Sequence, residues 1–340
     1  MIFRSKAPLR IGLAGGGTDV SPYCDQFGGA ILNATISLSA HASIEIVEGE
    51  KITLKSIDQD EEFVFDKKEK PGNDSPFILA KGVYNYVVKN YGPVPSAFVL
   101  TTFVDAPAGS GLGTSSALVV AILGAFAEWL NLPMGEYDMA RIAYEIERED
   151  LKMAGGKQDQ YAATFGGVNF MEFYGDRKVI VNPLRIRSEF LNELEHNLLL
   201  YFTSKSRRSA DIIEKQAQNV LDKKTTSIEA MHQLKEQALM MKEALLRGQI
   251  DEIGRIFDFG FQQKKQMAQG ISNVTLDEVY ELALKAGATG GKISGAGGGG
   301  FMIFYCPNQT KHAVKAALSH LPGVFKDYQF VKNGQLSWRV

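Results

Sequence analysis

Residues 107–117 read PAGSGLGTSSA and run straight into LVVAILGAFAEWL, a glycine- and serine-rich loop feeding a long apolar segment of helical length. That combination suits phosphate. Gly109, Gly111 and Gly113 permit backbone conformations that a side chain would forbid, and let main-chain N–H groups come close to a ligand. The helix start adds unpaired N–H donors and the positive end of its dipole. Thr114, Ser115 and Ser116 supply hydroxyls that can bond phosphate oxygens or ligate Mg²⁺. An ordinary capped loop uses the same residue types. No Lys sits before Thr114 or the serines, so the tract is not a Walker A loop.

Two further glycine regions must be weighed beside it. In APLRIGLAGGGTD, residues 7–19, a strand carrying Arg10 leads into Gly15–Gly17 and then Asp19; a turn capped by Asp19 would look the same. Late in the chain Gly295, Gly297 and Gly300 fit the dinucleotide pattern GxGxxG. That pattern requires a following helix and an acidic residue about 20 positions on. Here a strand-like FMIFYC follows and His320 stands at the twentieth position, so the expectation is a tight turn lying against another segment or a ligand. The three regions together suggest a composite site for a charged, polyhydroxylated ligand.

The elements that must position these residues are legible in outline. Strands are predicted at Leu9–Leu13, Ser43–Val47, Lys51–Ser56, Glu62–Phe65 and Ala97–Thr102, with a hairpin from Val168–Glu172 to Lys178–Val181. Helices are predicted at Phe77–Tyr91, Ser115–Leu130 and Glu136–Lys152. The charged stretch Arg185–Glu195 reads as a connection and a soft boundary. After it come a strand at Leu198–Phe202 and helical spacing over Ser209–Leu284, broken at Gly248 and near Gly270. Strand, glycine turn, strand follow, then a helix at Gln309–Leu321 and a strand at Phe325–Lys332. The whole is an α+β chain in two parts, each with strands covered by helices.

With 340 residues, 45% apolar, 22% charged and a formal net charge of -2, the chain has the composition of a soluble globular protein. Nothing in it indicates a nucleic-acid or membrane surface, so small molecules are the expected partners. Cys24 and Cys306 fit neither a metal site nor a disulfide framework, and no apolar run has membrane-spanning length. A cytoplasmic location is expected.

The motifs resemble those of the GHMP kinases, the family of galactokinase, homoserine kinase and mevalonate kinase. PAGSGLGTSSA looks like the family's second motif and KISGAGGGG like its third. APLRIGLAGGGTD aligns on the first motif of its sugar kinases, and GGKQDQ, residues 155–160, looks like the segment bearing the catalytic aspartate. The form GGGTDVSPY, with AYEIERED ahead of AGGKQDQ, is more similar to the heptose-phosphate kinases than to the fucokinases. The resemblance implies a two-domain GHMP kinase architecture. Residues 1–190 would be a domain like ribosomal protein S5 domain 2, and residues 191–340 a ferredoxin-like α/β sandwich with added helices.

It also implies ATP and Mg²⁺ as cofactors, a sugar phosphate as acceptor and phosphorylation at the anomeric hydroxyl. Asp159 would be the base, with Arg10 beside it keeping it ionised and neutralising developing charge. Pro107, Ala108, Gly109, Ser110, Gly111, Leu112, Gly113, Thr114, Ser115 and Ser116 would form the ATP loop. Ser115 and Glu147 would ligate Mg²⁺, although the stripe Met139, Ile142, Ala143, Ile146 favours Asp150 as the inward carboxylate by periodicity. Gly16, Gly17, Thr18 and Asp19 would hold the sugar with Gly297 and Gly298. Lys157, Lys205, Arg207 and Arg208 are candidates for the acceptor's own phosphate. The helix start Pro76–Tyr84 is a possible flank for adenine. An unphosphorylated hexose as acceptor, or a non-catalytic sugar and ATP sensor on the same fold, are the competing readings.

Overall fold

The computed structural model describes residues 1–73, 76–204 and 209–340. The chain opens with β1 (Ile2–Ala14), a short helix α1 (Tyr23–Phe27), and β2 (Gly29–Val47), then the hairpin β3 (Lys51–Ser56) and β4 (Glu61–Asp66). Helix α2 (Ile78–Tyr91), β5 (Ala97–Val104), α3 (Thr114–Leu130), α4 (Glu136–Tyr144), α5 (Gln158–Phe165) and the hairpin β6 (Val168–Phe173) and β7 (Val179–Pro183) complete the first half. The second half runs α6 (Ser188–Asn197), β8 (Leu198–Phe202), α7 (Ser209–Leu221), α8 (Thr225–Arg247), α9 (Ile253–Met267), α10 (Val274–Lys285), β9 (Gly290–Ile293) and β10 (Phe301–Tyr305). It closes with α11 (Thr310–Leu318), β11 (Val324–Lys326) and β12 (Leu336–Arg339).

Among the described residues, eight strands form one sheet along the path β12-β1-β2-β5-β3-β4, with β6 on β2 and β7 on β6. The other four form an antiparallel sheet in the order β11-β8-β10-β9. β2 is long enough to serve two partners. Its first part, Gly29–Ala34, pairs with β6, and its last part, Ala40–Val47, pairs with β5. Helix α3 packs against β1, β2, α2, α4 and α5. It is therefore apolar on nearly every side, as a helix enclosed by neighbours must be. Phe98 of β5 is fully buried and meets the rings of Tyr84, Phe126 and Trp129 at 6.2, 5.5 and 5.2 Å.

Three departures from the sequence reading have physical causes. Arg185–Glu195 is not an open connection, because Ser188–Asn197 is the helix α6, anchored by Leu194 in the core. The strand expected at Phe325–Lys332 ends at Lys326; beyond it the chain crosses to the first sheet, where a single bridge, Ile36 to Phe330, precedes β12 on β1. The helix expected to reach Lys152 ends as an α-helix at Tyr144 and continues over Glu145–Asp150 with π winding.

Two irregularities in β1 matter most. The β1–β2 register shifts between Pro8 and Arg10 and again between Gly12 and Ala14. Pro8 has no N–H for the ladder, and a bulge re-aims the residues beside it. Arg10 consequently donates its backbone N–H to Leu112 of the glycine loop at 3.0 Å rather than to the sheet. The core of the first half holds this geometry, so Phe98→Ala is expected to cost about 3–5 kcal/mol in denaturant unfolding, with the activity of the folded fraction retained.

Candidate functional site

The bulge aims Arg10 at the helix α5. Its Nε and Nη2 both donate to Asp159 Oδ1 at 2.7 Å, and its Nη1 donates to the Gly111 carbonyl. Asp159 lies in the first turn of α5, where the helix dipole favours a carboxylate. Both Arg10 contacts fall on one oxygen, which leaves Oδ2 to the cleft. This cleft has a volume of about 400 Å³, and Arg10, Asp159, Asp19, Glu147 and the glycine loop line it.

The loop meets the cleft with backbone rather than with bulk. Gly113 caps α3 in the left-handed region (φ +78°) and no side chain caps the helix, so the first N–H groups of α3 keep their donors. A Cβ on Gly113 would stand 3.2 Å from the Asp159 carboxyl carbon. Gly109, Gly111, Gly113, Thr114, Ser115 and Ser116 face the cleft, while Ser110 and Leu112 point into the core. The Pro107 carbonyl closes a turn with Ser110, and Ala108 belongs to a second cavity of about 280 Å³ on the far side of the loop. That cavity shares Thr114 and Ser115 with the first and has apolar walls from Ile78, Leu79, Leu118 and Ile122.

The late glycine turn backs this loop. Ser294 Oγ donates to the Gly111 carbonyl at 2.8 Å, and Phe301 N donates to the Ser110 carbonyl at 2.9 Å. Within the turn, Gly295 borders the cleft, whereas Gly297 and Gly298 pack on the Ile271 backbone, so their expected place at the ligand is corrected.

The π winding sets Glu147 and Asp150 on different faces. Its wider turn rotates the residues that follow Tyr144, so Glu147 is fully buried at the cleft and Asp150 is exposed. Gln160 donates to Glu147 Oε2 and, at 3.1 Å, to Ser116 Oγ. Among the described residues Glu147 Oε1 has no hydrogen-bond partner, and Arg148 Nη1 stands 3.6 Å from it. A buried carboxylate oxygen left without a donor, facing the Ser115 hydroxyl across one cleft, fits a cation such as Mg²⁺, which needs only one or two protein oxygens. No group of three or more His, Cys, Asp or Glu among the described residues forms an all-protein metal cage.

On the opposite wall, Asp19 is almost fully buried and accepts from Gln158 N at 3.0 Å. Burial pushes its carboxyl above the usual range, aided by the Asp159 charge and opposed by the Gln158 N–H and Arg10. Gly17 lines the cleft and Gly16 lies beneath it against Lys264. Thr18 does not face the ligand space: its hydroxyl lies 2.9 Å from the carbonyl oxygens of both Gly15 and Ala30 of β2, which share its one proton. Lys157 is likewise corrected, since its buried ammonium bonds Asp25 at 3.2 Å and does not reach the cleft. Lys205, Arg207 and Arg208 lie outside the described residues.

Lys264, Gln216 and Gln160 escaped the sequence reading. Lys264 interrupts the apolar face Phe257, Phe261, Met267 of α9, and Gln216 interrupts Ile212, Val220 on α7. A polar residue at a core-facing position was the available signal. Gln160 is adjacent to Asp159, but its tie to Glu147 needs the tertiary fold.

The chain matches the GHMP kinases N terminal domain over residues 79–167 and the GHMP kinases C terminal domain over residues 241–326. It is 48% identical over 337 residues, 99% of both chains, to a D-glycero-alpha-D-manno-heptose 7-phosphate kinase of Campylobacter jejuni. A crystal structure of a D-glycero-D-manno-heptose 1-phosphate kinase from Bacteroides thetaiotaomicron superposes with a TM-score of 0.85 at 44% identity, covering 99% of each chain. A Lactococcus lactis galactokinase complexed with galactose shares the fold at 19% identity, with a TM-score of 0.77 over 98% of this chain and 95% of that one.

The contact between the two glycine turns has a measurable signature. Gly111 (φ +82°) has no room for a Cβ, which would lie 2.6 Å from the Ser294 carbonyl oxygen, whereas a Cβ on Gly92 (φ +94°) meets nothing within 4 Å. Gly92→Ala is expected to cost about 1–3 kcal/mol from its backbone alone, and Gly111→Ala clearly more, read as the difference in denaturant midpoint.

Proposed function

The chain belongs to the GHMP kinase family, and from that premise we propose that it transfers the γ-phosphoryl group of ATP to the anomeric hydroxyl of D-glycero-D-manno-heptose 7-phosphate, giving the 1,7-bisphosphate. Its two-domain architecture is that of the family, and it is a phosphotransferase of the sugar-kinase kind. The observation that carries the reading is the Arg10–Asp159 pair, set between a backbone phosphate cradle and a buried sugar-facing carboxylate. Two full-length relatives above 40% identity are named for heptose phosphates, which favours that acceptor over a free hexose. A sensor would have no use for a base held in this way.

In this reading the triphosphate lies along residues 107–116, its terminal oxygens on the N–H groups of Gly113, Thr114 and Ser115. Adenine occupies the apolar cavity between α2 and α3, and Asp19 accepts hydrogen bonds from sugar hydroxyls at the Gly16–Gly17 edge. Asp159 Oδ2 takes the proton of the anomeric hydroxyl as its oxygen attacks the γ-phosphorus and the bond to the β-phosphate oxygen breaks. Arg10 keeps the carboxylate in place and places positive charge beside the transferring group. Ser115 and Glu147 would hold Mg²⁺, which supplies charge neutralisation to the phosphates.

A coupled ADP-release assay over heptose 7-phosphate, heptose 1-phosphate, free heptose and free hexoses tests the acceptor; preference for a free hexose overturns it. Asp159→Asn is expected to lower kcat by about 10²–10⁴-fold with the fold intact, and near-normal turnover removes Asp159 as base. Titration of rate against Mg²⁺ should show a raised metal requirement in Glu147→Ala and none in Asp150→Ala. The reverse result would transfer the metal to Asp150.

A further inference from the structure

Two polar side chains on the helical wall of the cleft stand where apolar residues belong. Lys264 of α9 is 4% exposed and Gln216 of α7 is 2% exposed, yet both line the cleft together with Asp19. Gln216 Nε2 has no hydrogen-bond partner among the described residues. An unmade buried amide donor costs about 1–3 kcal/mol, so its retention at a ligand surface calls for a ligand oxygen. The nearby Gln237 shows the contrasting structural case, with its amide oxygen accepting from Gly15 N and its nitrogen donating to the Ile256 carbonyl. The Lys264 ammonium uses one donor on the Gly295 carbonyl and has two left. Both side chains lie beside the glycines of the first motif: a Cβ on Gly16 would be in ordinary contact with Lys264 Nζ at 3.5 Å, and one on Gly17 with Gln216 Oε1 at 3.6 Å.

We propose that Lys264 and Gln216 are specificity-determining residues for the acceptor, donating hydrogen bonds to adjacent oxygens of a polyol whose hydroxyl protons are accepted by Asp19. A vicinal diol fits this wall, each hydroxyl being donor on one side and acceptor on the other. The inference rests on the cleft being the acceptor site of a sugar kinase.

The electrostatics agree. Burial and the Arg10 charge bring the Lys264 amine down to about 8, against the pull of Asp19. The other charged groups around it are Lys292 of β9, itself held well below its ordinary value by burial, Glu214 of α7, and Asp159 through Arg10. The ammonium is present below about pH 8 and is lost above it, so acceptor recognition weakens as pH rises through that value.

The test uses Lys264→Met, Gln216→Leu and the shape-conserving Gln216→Glu, which replaces the orphan NH₂ by an oxygen. With heptose 7-phosphate as probe, each should lower acceptor kcat/KM by about 10- to 100-fold and leave the KM for ATP within about twofold. The wild-type fall in acceptor kcat/KM above pH 8 should vanish in Lys264→Met. If a variant is too unstable for kinetics, Gln216→Glu and thermal-shift titration with the same sugar provide the comparison. Unchanged acceptor binding in the variants, or equal weakening of acceptor and ATP, overturns the proposal. Should the wild-type protein turn over another sugar in place of the heptose phosphate, the acceptor assignment fails while the same variant comparison on that sugar still decides the donor wall. Absence of binding by every sugar overturns both.

Discussion

One guanidinium holds the site together. Arg10 joins three parts of the chain that are remote in sequence: its own strand, the carbonyl of Gly111 in the phosphate loop, and Asp159 at the start of α5. Planar, forked donors can satisfy a carboxylate and a carbonyl at once, which an ammonium point charge cannot do with equal direction. The pair is largely buried, so neither charge is tolerable without the other. The bulge beside Pro8, the glycines at 111 and 113, and the late glycine turn behind them are the geometric conditions for that contact.

Much of this was legible in residue types. The glycine loop, Arg10, Asp19 and Asp159 stand in stretches whose composition already suits phosphate and polyol chemistry, and each reaches the cleft. What the sequence could not convey were rotations and partners. Periodicity turned Asp150 inward because it assumes 3.6 residues per turn, and the π winding after Tyr144 substitutes Glu147. Thr18 and Lys157 belong to suggestive motifs, but bonds to Ala30 and Asp25, made only in the folded chain, take their polar atoms. Gly297 and Gly298 carry the motif's letters, while their positive φ angles serve the packing on Ile271. The helix over Ser188–Asn197 has too few apolar residues to stand out before the core around Leu194 exists.

The two halves divide the chemistry unevenly. The first supplies Arg10 and Asp159, the glycine loop and the inward carboxylates. The second supplies the backing turn and a helical wall whose polar side chains are enclosed with unused donors. Enclosed donors are costly when unpaired, and the cleft is therefore poised to discriminate among ligands by which oxygens they present, more than by the area they bury.

The pairing of β12 with β1 places the last residues of the chain beside the first, Arg339 opposite Phe3 and Leu336 opposite Lys6. β1 is thus an interior strand only in the finished molecule. While the polypeptide is being made, the Phe3–Lys6 part of this strand has an open edge, and the segment that covers it, Leu336–Arg339, is made long after it. Closing so distant a pair is entropically late and slow. The nascent first half must therefore wait, with that flank unprotected, until Leu336–Arg339 has been made.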